Sequence, residues 1–453
     1  MASAIVDVGA VIDRSRFSKR QMCVIALCGI LMILDGYDSG EIAFVGPSLM
    51  REWHLQPSML TLLFTANGVT QIIASLFFGP VADRYGRRWL MIGGTAFAGL
   101  MSLGSAYAAG PSDFLIWRIL CSLCLAAVMT NAIALGAEYA PARARSFAVI
   151  VLYCGFAVGQ AIGAGVSAEL IPTHGWQIVM IIGGVLPMIF AAASVFWLPE
   201  SIRFIVLRQP RSPVIFRELA RIDGLPFAPD TTFVSTEKAA TARPIRDLFT
   251  EGRATTTMLV WLVFLMNITG VIFLNSWVPT LLHNADVPLA QALRAAMVMQ
   301  VGTIIGALFM AWCMDRWGAS RILVPAHLLG VAGIALFGQS IGAGGIMFVV
   351  AALMGAGVQG AQTAMIGFTA GLYPTAIRAT GIGSAFGIGR FGTIIGPLFG
   401  GTVISLALPV GDAFLLGAAP AVVSSIGIIA LSLVMRANPS RGPAGATAEA
   451  EPG

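Results

Sequence analysis

Two aspartates three residues apart, Asp35 and Asp38, lie in the stretch L-D-G-Y-D-S-G-E, about 20 Å along an apolar run that opens at Met22 if the run is helical. At that depth in a bilayer an ionised carboxylate costs at least about 2.5 kcal/mol, so such a group faces a cavity, finds a cation or takes up a proton. The i, i+3 spacing sets both acids on one helix face, and Glu41 continues the ladder. Carboxylates so close resist ionising together, which makes one of them a credible proton carrier near neutral pH. The plainer alternative is structural: a cap on a broken helix, or a fixed pair with an arginine.

Arginines occur at comparable depth. Arg118 sits early in a fourth apolar run, and Arg390 lies about 18 Å beyond Arg378 in an eleventh. A guanidinium keeps its proton and presents a planar fork that matches a carboxylate. Arg390 therefore either neutralises an acid of the protein or receives an anionic ligand, and the two roles can exchange. Amides inside apolar runs line a cavity or bond a neighbouring helix; Asn131, Gln160, Asn275 and Gln359 are the candidates carried forward as ligand contacts, with Asn267, Gln300 and Gln362 beside them.

The elements that must hold these groups follow from composition. Of 453 residues, 57% are hydrophobic and 11% charged, against roughly 25% charged in a soluble domain. Twelve apolar runs are each long enough to cross a hydrocarbon core about 30 Å thick: 22–49, 58–81, 88–108, 112–137, 146–170, 176–198, 255–282, 290–313, 320–340, 344–371, 379–406 and 412–436. The expected fold is an all-α membrane protein of twelve transmembrane helices in two pseudo-symmetric six-helix bundles, 22–198 and 255–436. A polar segment 1–21 precedes them, a basic loop 199–254 joins them, and a Gly/Pro/Ala-rich tail 437–453 is expected to be disordered.

The net charge of +5 invites a nucleic-acid reading, but the Lys and Arg residues gather in the connections between apolar runs. Arg84, Arg87, Arg143, Arg145, Arg316 and Arg378 all fall in loops on the side of the N-terminus, which places both termini in the cytoplasm of a cell whose inner (plasma) membrane the chain crosses. The run after Met22 is too long, and too acidic, for a cleaved signal. The central loop is expected to lie on the inner membrane surface as short amphipathic helices. Cys121 and Cys124 spell C-x-x-C in mid-helix, where a redox role is remote. The histidines His54, His174, His283 and His327 have no metal-ligand spacing, and no phosphate loop is present, so neither metal nor cofactor is expected.

The halves repeat. G-P-V-A-D-R-Y-G-R-R at 79–88 is echoed by A-W-C-M-D-R-W-G-A-S-R at 311–321, with Asp83, Arg84 and Gly86 lying 232 residues before Asp315, Arg316 and Gly318. E-Y-A-P-A-R-A-R at 138–145 faces L-Y-P-T-A-I-R at 372–378, and Gly159 and Gly163 precede Gly392 and Gly396 by 233. Parallel six-helix repeats place a shared site near the bilayer midplane, the arrangement of a transporter. In D-R-Y-G-R-R the Gly suits a tight turn, while Asp83, Arg84, Arg87 and Arg88 can form a breakable inner latch or serve merely as positive anchors. Glu138 with Arg143 and Arg145 is expected to make a second inner gate, and Arg378 to act at its counterpart.

G-x-x-x-D-R-x-G-R-R with its weaker copy, in a chain of twelve spans, resembles the major facilitator superfamily, whose pattern covers about residues 20–436. That resemblance implies that Asp83 and Asp315 steady an outward-open state through contacts that break on opening inward. D-G-Y-D in the first span, with L-Y-P-T-A-I-R-A-T-G-I-G-S-A-F-G-I-G-R-F-G-T-I-I-G-P at 372–397, is similar to the aromatic acid:proton symporters of that superfamily. This likeness implies functional roles for Asp35, Asp38, Arg118, Arg378 and Arg390, and it pairs His327 loosely with a histidine of some members. One departure is C-S-L-C-L-A-A after Arg118, where many members are glycine-rich, so helix packing there is expected to differ.

The reading is a monomeric secondary transporter that takes up a small aromatic carboxylate, such as benzoate or a hydroxybenzoate, with protons, by alternating access. Its partners are substrate, protons and the lipid bilayer. The alternative within the class is a proton-coupled carrier of another organic anion or an exporter of aromatic compounds. A membrane enzyme would need a clustered nucleophile, base or metal set, and a channel would not accumulate solute against a gradient.

Overall fold

The computed structural model describes residues 5–15, 17–223, 231–235, 245–250 and 252–437. The chain opens with strand β1 (Ile5–Asp7) and helix α1 (Val8–Arg14), then six long helices: α2 (Lys19–Glu52), α3 (Pro57–Tyr85), α4 (Arg88–Ala106), α5 (Pro111–Tyr139), α6 (Arg145–His174) and α7 (Gln177–Trp197). Short helices α8 (Ile202–Arg208) and α9 (Pro213–Asp223) and strand β2 (Thr232–Val234) follow. Then come α10 (Ala254–Asn284), α11 (Leu289–Trp317), α12 (Ala319–Gln339), α13 (Gly345–Leu372), α14 (Thr375–Gly389), α15 (Gly392–Ser405), α16 (Val410–Gly417) and α17 (Ala419–Ala437). Among the described residues twelve segments are long and apolar enough to span a membrane, the eleventh formed by α14 with α15 and the twelfth by α16 with α17. This is a multi-pass membrane protein.

Both breaks have local causes. Arg390 and Phe391 are flanked by Gly389 and Gly392, and the carbonyl of Arg390 accepts both the N–H and the hydroxyl of Thr393, at 2.9 and 2.7 Å. At the other break Pro420 stands second in α17, where its missing N–H leaves no helical bond unmade. Large apolar side chains such as Leu76, Phe77, Phe196 and Ile305 point outward and stay exposed, as suits contact with hydrocarbon.

Two compact units emerge. The first comprises Met1–Glu41, Thr70–Gln160 and Trp176–Ala239; the second comprises Ile42–Val69, Ala161–Gly175 and Ala240–Gly453. The grouping thus differs from a division at 22–198 and 255–436, because close contacts inside the second unit enclose 42–69 and 161–175. A Cβ at Gly68 would lie 2.4 Å from the Thr393 carbonyl oxygen and one at Gly401 2.2 Å from the Thr61 hydroxyl oxygen. Glu169 pairs with Arg294 at 2.7 Å in the same unit.

The repeated glycines do equivalent work in each unit. A Cβ on Gly159 of α6 would come within 2.0 Å of the Ile33 carbonyl oxygen on α2, and one on Gly392 of α15 within 2.7 Å of the Thr269 nitrogen on α10. Helix axes can approach this closely only where no side chain intervenes.

The segment 1–21 and the central loop depart from expectation. β1 pairs in parallel with β2, Ile5 opposite Thr232 and Asp7 opposite Val234, a small exception to an otherwise all-α chain. Asp7 then caps α1 by accepting the Gly9 N–H at 3.0 Å. α9 is amphipathic, but its apolar residues Ile215, Leu219 and Ile222 are buried in one cluster with Val8, Val11, Ile12 and Phe233 instead of facing lipid. Arg20 holds Glu218 at 2.7 Å and Arg14 holds Asp223 at 3.2 Å. Loop residues 224–230, 236–244 and 251, and the tail from 438, lie outside the described residues, so the expectation of a disordered tail is not addressed.

Gly159→Ala is expected to destabilise the purified protein by about 2–3 kcal/mol through overpacking against α2, lowering its melting temperature in detergent. Gly79→Ala, with nothing within 4 Å of the added Cβ, should melt no lower than the parent. Equal melting of Gly159→Ala and parent would refute the close-approach role.

Candidate functional site

The i, i+3 ladder on α2 meets its cation on α5. Arg118 Nη1 and Nη2 donate to Asp38 Oδ1 and Oδ2 at 3.0 and 2.9 Å, Nη2 also to the Asp38 carbonyl at 3.1 Å, and Nη1 to Glu41 Oε2 at 2.7 Å. Arg118 is 1% exposed, Asp38 4% and Glu41 0%. One guanidinium thus serves two buried carboxylates, the geometry in which a two-pronged Arg–carboxylate contact is strongest. Asp35, one turn nearer the N-terminus of α2, is equally buried and pairs with no cation among the described residues.

Neighbouring helices complete the shell. The Ser102 hydroxyl on α4 lies 3.3 Å from Glu41 Oε2 and 3.1 Å from the Met180 carbonyl of α7. Tyr37 donates its hydroxyl to the Val179 carbonyl at 3.1 Å, tying α2 to α7. Gly183 of α7 makes room for the acid, since a Cβ there would stand 1.7 Å from Glu41 Oε1. The unusual C-S-L-C run after Arg118 acquires a local function: the Cys121 thiol lies 3.1 Å from Asp38 Oδ1. Arg118, expected to contact a ligand, is engaged by the protein's own acids in this conformation.

The other candidate polars divide by unit. In the first, Asn131 donates to the Ala127 carbonyl of its own helix at 2.7 Å, which makes it a self-satisfied helix residue here; Gln160 is buried at 5% exposure. In the second, Asn275 Oδ1 accepts from Gln300 Nε2 at 3.1 Å and from Gln359 Nε2 at 3.5 Å, which joins α10, α11 and α13 in one amide cluster. Arg390 is half-buried at the break between α14 and α15. Phe264 and Phe386 meet edge to face at 5.2 Å, and His327 donates or accepts at the Leu323 carbonyl of its own helix, 2.9 Å away.

The repeated motif is organised by an acid far along the chain. Gly86 takes φ +94°, a conformation that favours glycine, and turns the backbone so that the N–H groups of Arg87 and Arg88 donate to Glu200 Oε1 at 2.8 and 3.2 Å. The first turn of α4 therefore receives a carboxylate cap from beyond α7. Arg87 pairs with Glu138 Oε1 at 2.9 Å, and Glu138 Oε2 accepts the Ser201 hydroxyl at 2.6 Å. Asp83 is 76% exposed and only 3.8 Å from Arg87. Arg84 stacks over the Tyr85 ring at 5.5 Å, and Arg88 donates to the Val195 carbonyl.

Arg143 and Arg145, expected to gate with Glu138, meet the N-terminal segment in this conformation. Arg145 pairs with Asp13 at 2.9 Å and Arg143 donates to the Ser15 carbonyl at 3.2 Å, because the folded N-terminal segment reaches them first. In the second copy Gly318 repeats the positive φ at +84°, Arg316 lies exposed over Trp312, and Arg378 donates to the Tyr373 carbonyl at 3.4 Å. The side chain of Asp315 lies outside the described ones. Sequence reasoning missed Glu41 as the second partner of Arg118, although its i+3 position after Asp38 was a usable signal. It also missed Glu200 and Ser201, which have no local signal.

A model of the Major Facilitator Superfamily matches residues 25–337. The 4-hydroxybenzoate transporter PcaK of Pseudomonas putida is 35% identical over 435 residues, covering 96% of this chain and 97% of its own length. The gallate transporter of the same organism is 35% identical over 94% of this chain and 95% of its own, and the benzoate transport protein of Acinetobacter baylyi 29% identical over 95% and 92%. Among solved structures, the xylose transporter XylE of E. coli aligns with TM-score 0.65 at 15% identity, over 90% of this chain and 98% of that one. A bacterial homologue of the lysosomal transporter Spinster aligns with TM-score 0.67 at 15% identity, over 94% and 98%.

Arg118→Ala would strand the buried carboxylates of Asp38 and Glu41. Breaking such a pair costs about 3–5 kcal/mol, so the variant is expected to melt well below the parent in detergent, and adding Asp38→Asn should recover part of the loss. Unchanged melting of Arg118→Ala would show that this pair does not carry the buried charge.

Proposed function

The chain belongs to the major facilitator superfamily, and on that premise we infer that it is a secondary active transporter that brings an aromatic carboxylate into the cell together with protons. It is a transporter and not an enzyme. The observation that carries the reading is the buried Asp38–Arg118 pair in a chain whose full-length relatives are named for 4-hydroxybenzoate, gallate and benzoate.

The pair supplies a coupling logic. While Asp38 is ionised, both Nη atoms of Arg118 are committed to it. A proton taken up by Asp38 removes its charge and frees the guanidinium fork, which then matches the carboxylate of an incoming ring acid. Release of substrate returns Arg118 to Asp38 and expels the proton. Asp35, buried without a cation, is a second place where a proton offsets charge. Arg390 is the other cation suited to an anionic substrate, and the amides Asn275 and Gln359, with Gln300, offer donors and acceptors to ring substituents. Gln160 and Asn131 remain candidates for polar lining on α6 and α5.

On the inner face the Arg87–Glu138 pair, the Glu200 cap and the Asp83 contact form the latch that must loosen during alternating access. Arg84, Arg88, Arg145, Arg316 and Arg378 mark the same face, which is assigned to the cytoplasm of a cell whose inner membrane the chain crosses. One proton per monoanion makes the cycle electroneutral; each further proton adds about 2.3 kcal/mol per 100 mV of membrane potential.

Uptake of labelled benzoate and 4-hydroxybenzoate into proteoliposomes should rise with an inward-directed proton gradient. Asp38→Asn should lose that stimulation, and Arg390→Ala should lower uptake at least about tenfold, equivalent to 1.4 kcal/mol. Accumulation that ignores the gradient and survives both substitutions would defeat the proposal.

A further inference from the structure

Glu41 is fully buried, yet its two oxygens are treated unequally. Oε2 receives Arg118 Nη1 at 2.7 Å and lies 3.3 Å from the Ser102 hydroxyl, whereas Oε1 has no hydrogen-bond partner and sits in the space left by Gly183. A bare anionic oxygen there would be desolvated and uncompensated, a costly arrangement. The charge count agrees. Among the described residues a single guanidinium faces the two carboxylates, and Asp38 claims both of its Nη atoms.

Glu41 therefore lacks a counter-charge of its own. The titratable or charged groups facing it are Asp38 and Tyr37 from α2 and Arg118 and Cys121 from α5. α4 offers the Ser102 hydroxyl, and α7 the Met180 carbonyl and the Gly183 backbone. A proton on Oε1 satisfies all of these, since it removes the surplus charge and leaves Oε2 free to accept from Arg118 and Ser102.

We propose that Glu41 is a second proton-carrying site, one helical turn beyond Asp38, and that it shares Arg118 with it. With a proton on each acid Arg118 is released to the substrate carboxylate, and loss of both protons on the opposite side of the membrane returns Arg118 to the two carboxylates, so that Glu41 carries one proton per cycle in addition to that of Asp38. The mechanism rests on the proton-coupled reading above; the protonation of Glu41 in this conformation does not.

Two measurements on the full chain test it. Infrared spectroscopy of the reconstituted wild type at neutral pH should show a protonated-carboxyl C=O band that shifts when glutamate carries a carbon-13 side-chain label and disappears in Glu41→Gln. Absence of any label-sensitive band overturns the proposal without needing a variant to fold. In proteoliposomes with a fixed pH gradient and 4-hydroxybenzoate, Glu41→Gln should move one proton fewer per substrate. It should then hold about tenfold less substrate per pH unit than wild type when flux stops, a ratio independent of how much protein is active. An unchanged ratio also overturns it. A wild type that shows the band but never responds to the gradient supports Glu41 as a proton site and brings down the symport reading instead.

Discussion

Charge sunk in hydrocarbon must be matched within reach, and in this protein a single guanidinium does the matching for two acids. Arg118 holds Asp38 with both prongs and Glu41 with one. Everything nearby accommodates that commitment. Ser102 and Cys121 supply hydrogens to the carboxylates, Gly183 gives up a side chain to admit one of them, and Tyr37 anchors the helix that carries both. Helices α4, α5 and α7 are packed against α2 by the need to keep this cluster both dry and paired.

The turn between α3 and α4 obeys a different rule, that backbone donors at a helix start must be met. The short turn at Gly86 and Arg87 aims the N–H groups of Arg87 and Arg88 at Glu200, whose neighbour Ser201 holds Glu138, which holds Arg87. These links form a closed ring from three parts of the chain.

Much of this was legible in the residues. Hydropathy alone marked all twelve spans, with boundaries off by a few residues at most ends, because each span must be long and apolar whatever its partners. The repeat exposed Gly159 and Gly392, whose smallness serves the same helix contact in each unit. Depth singled out Asp38 and Arg118. What the residues could not show was who pairs with whom: Arg118 and Glu41 are 77 positions apart, Arg87 and Glu200 113, and Arg145 found Asp13 instead of Glu138. Partner choice at such separations is decided by helix packing. The amphipathic pattern of α9 was likewise readable, but a stripe of Ile and Leu does not say whether lipid or a folded N-terminus will cover it.

That N-terminal cover has an implication for biosynthesis. β1 leaves the ribosome before the first six spans, yet the strand it pairs with, Thr232–Val234, is made only after those spans. At roughly 5–20 residues per second the wait is on the order of ten seconds or more. The parallel pair therefore closes last over the first half of the chain, like a clasp fastened once the garment is on.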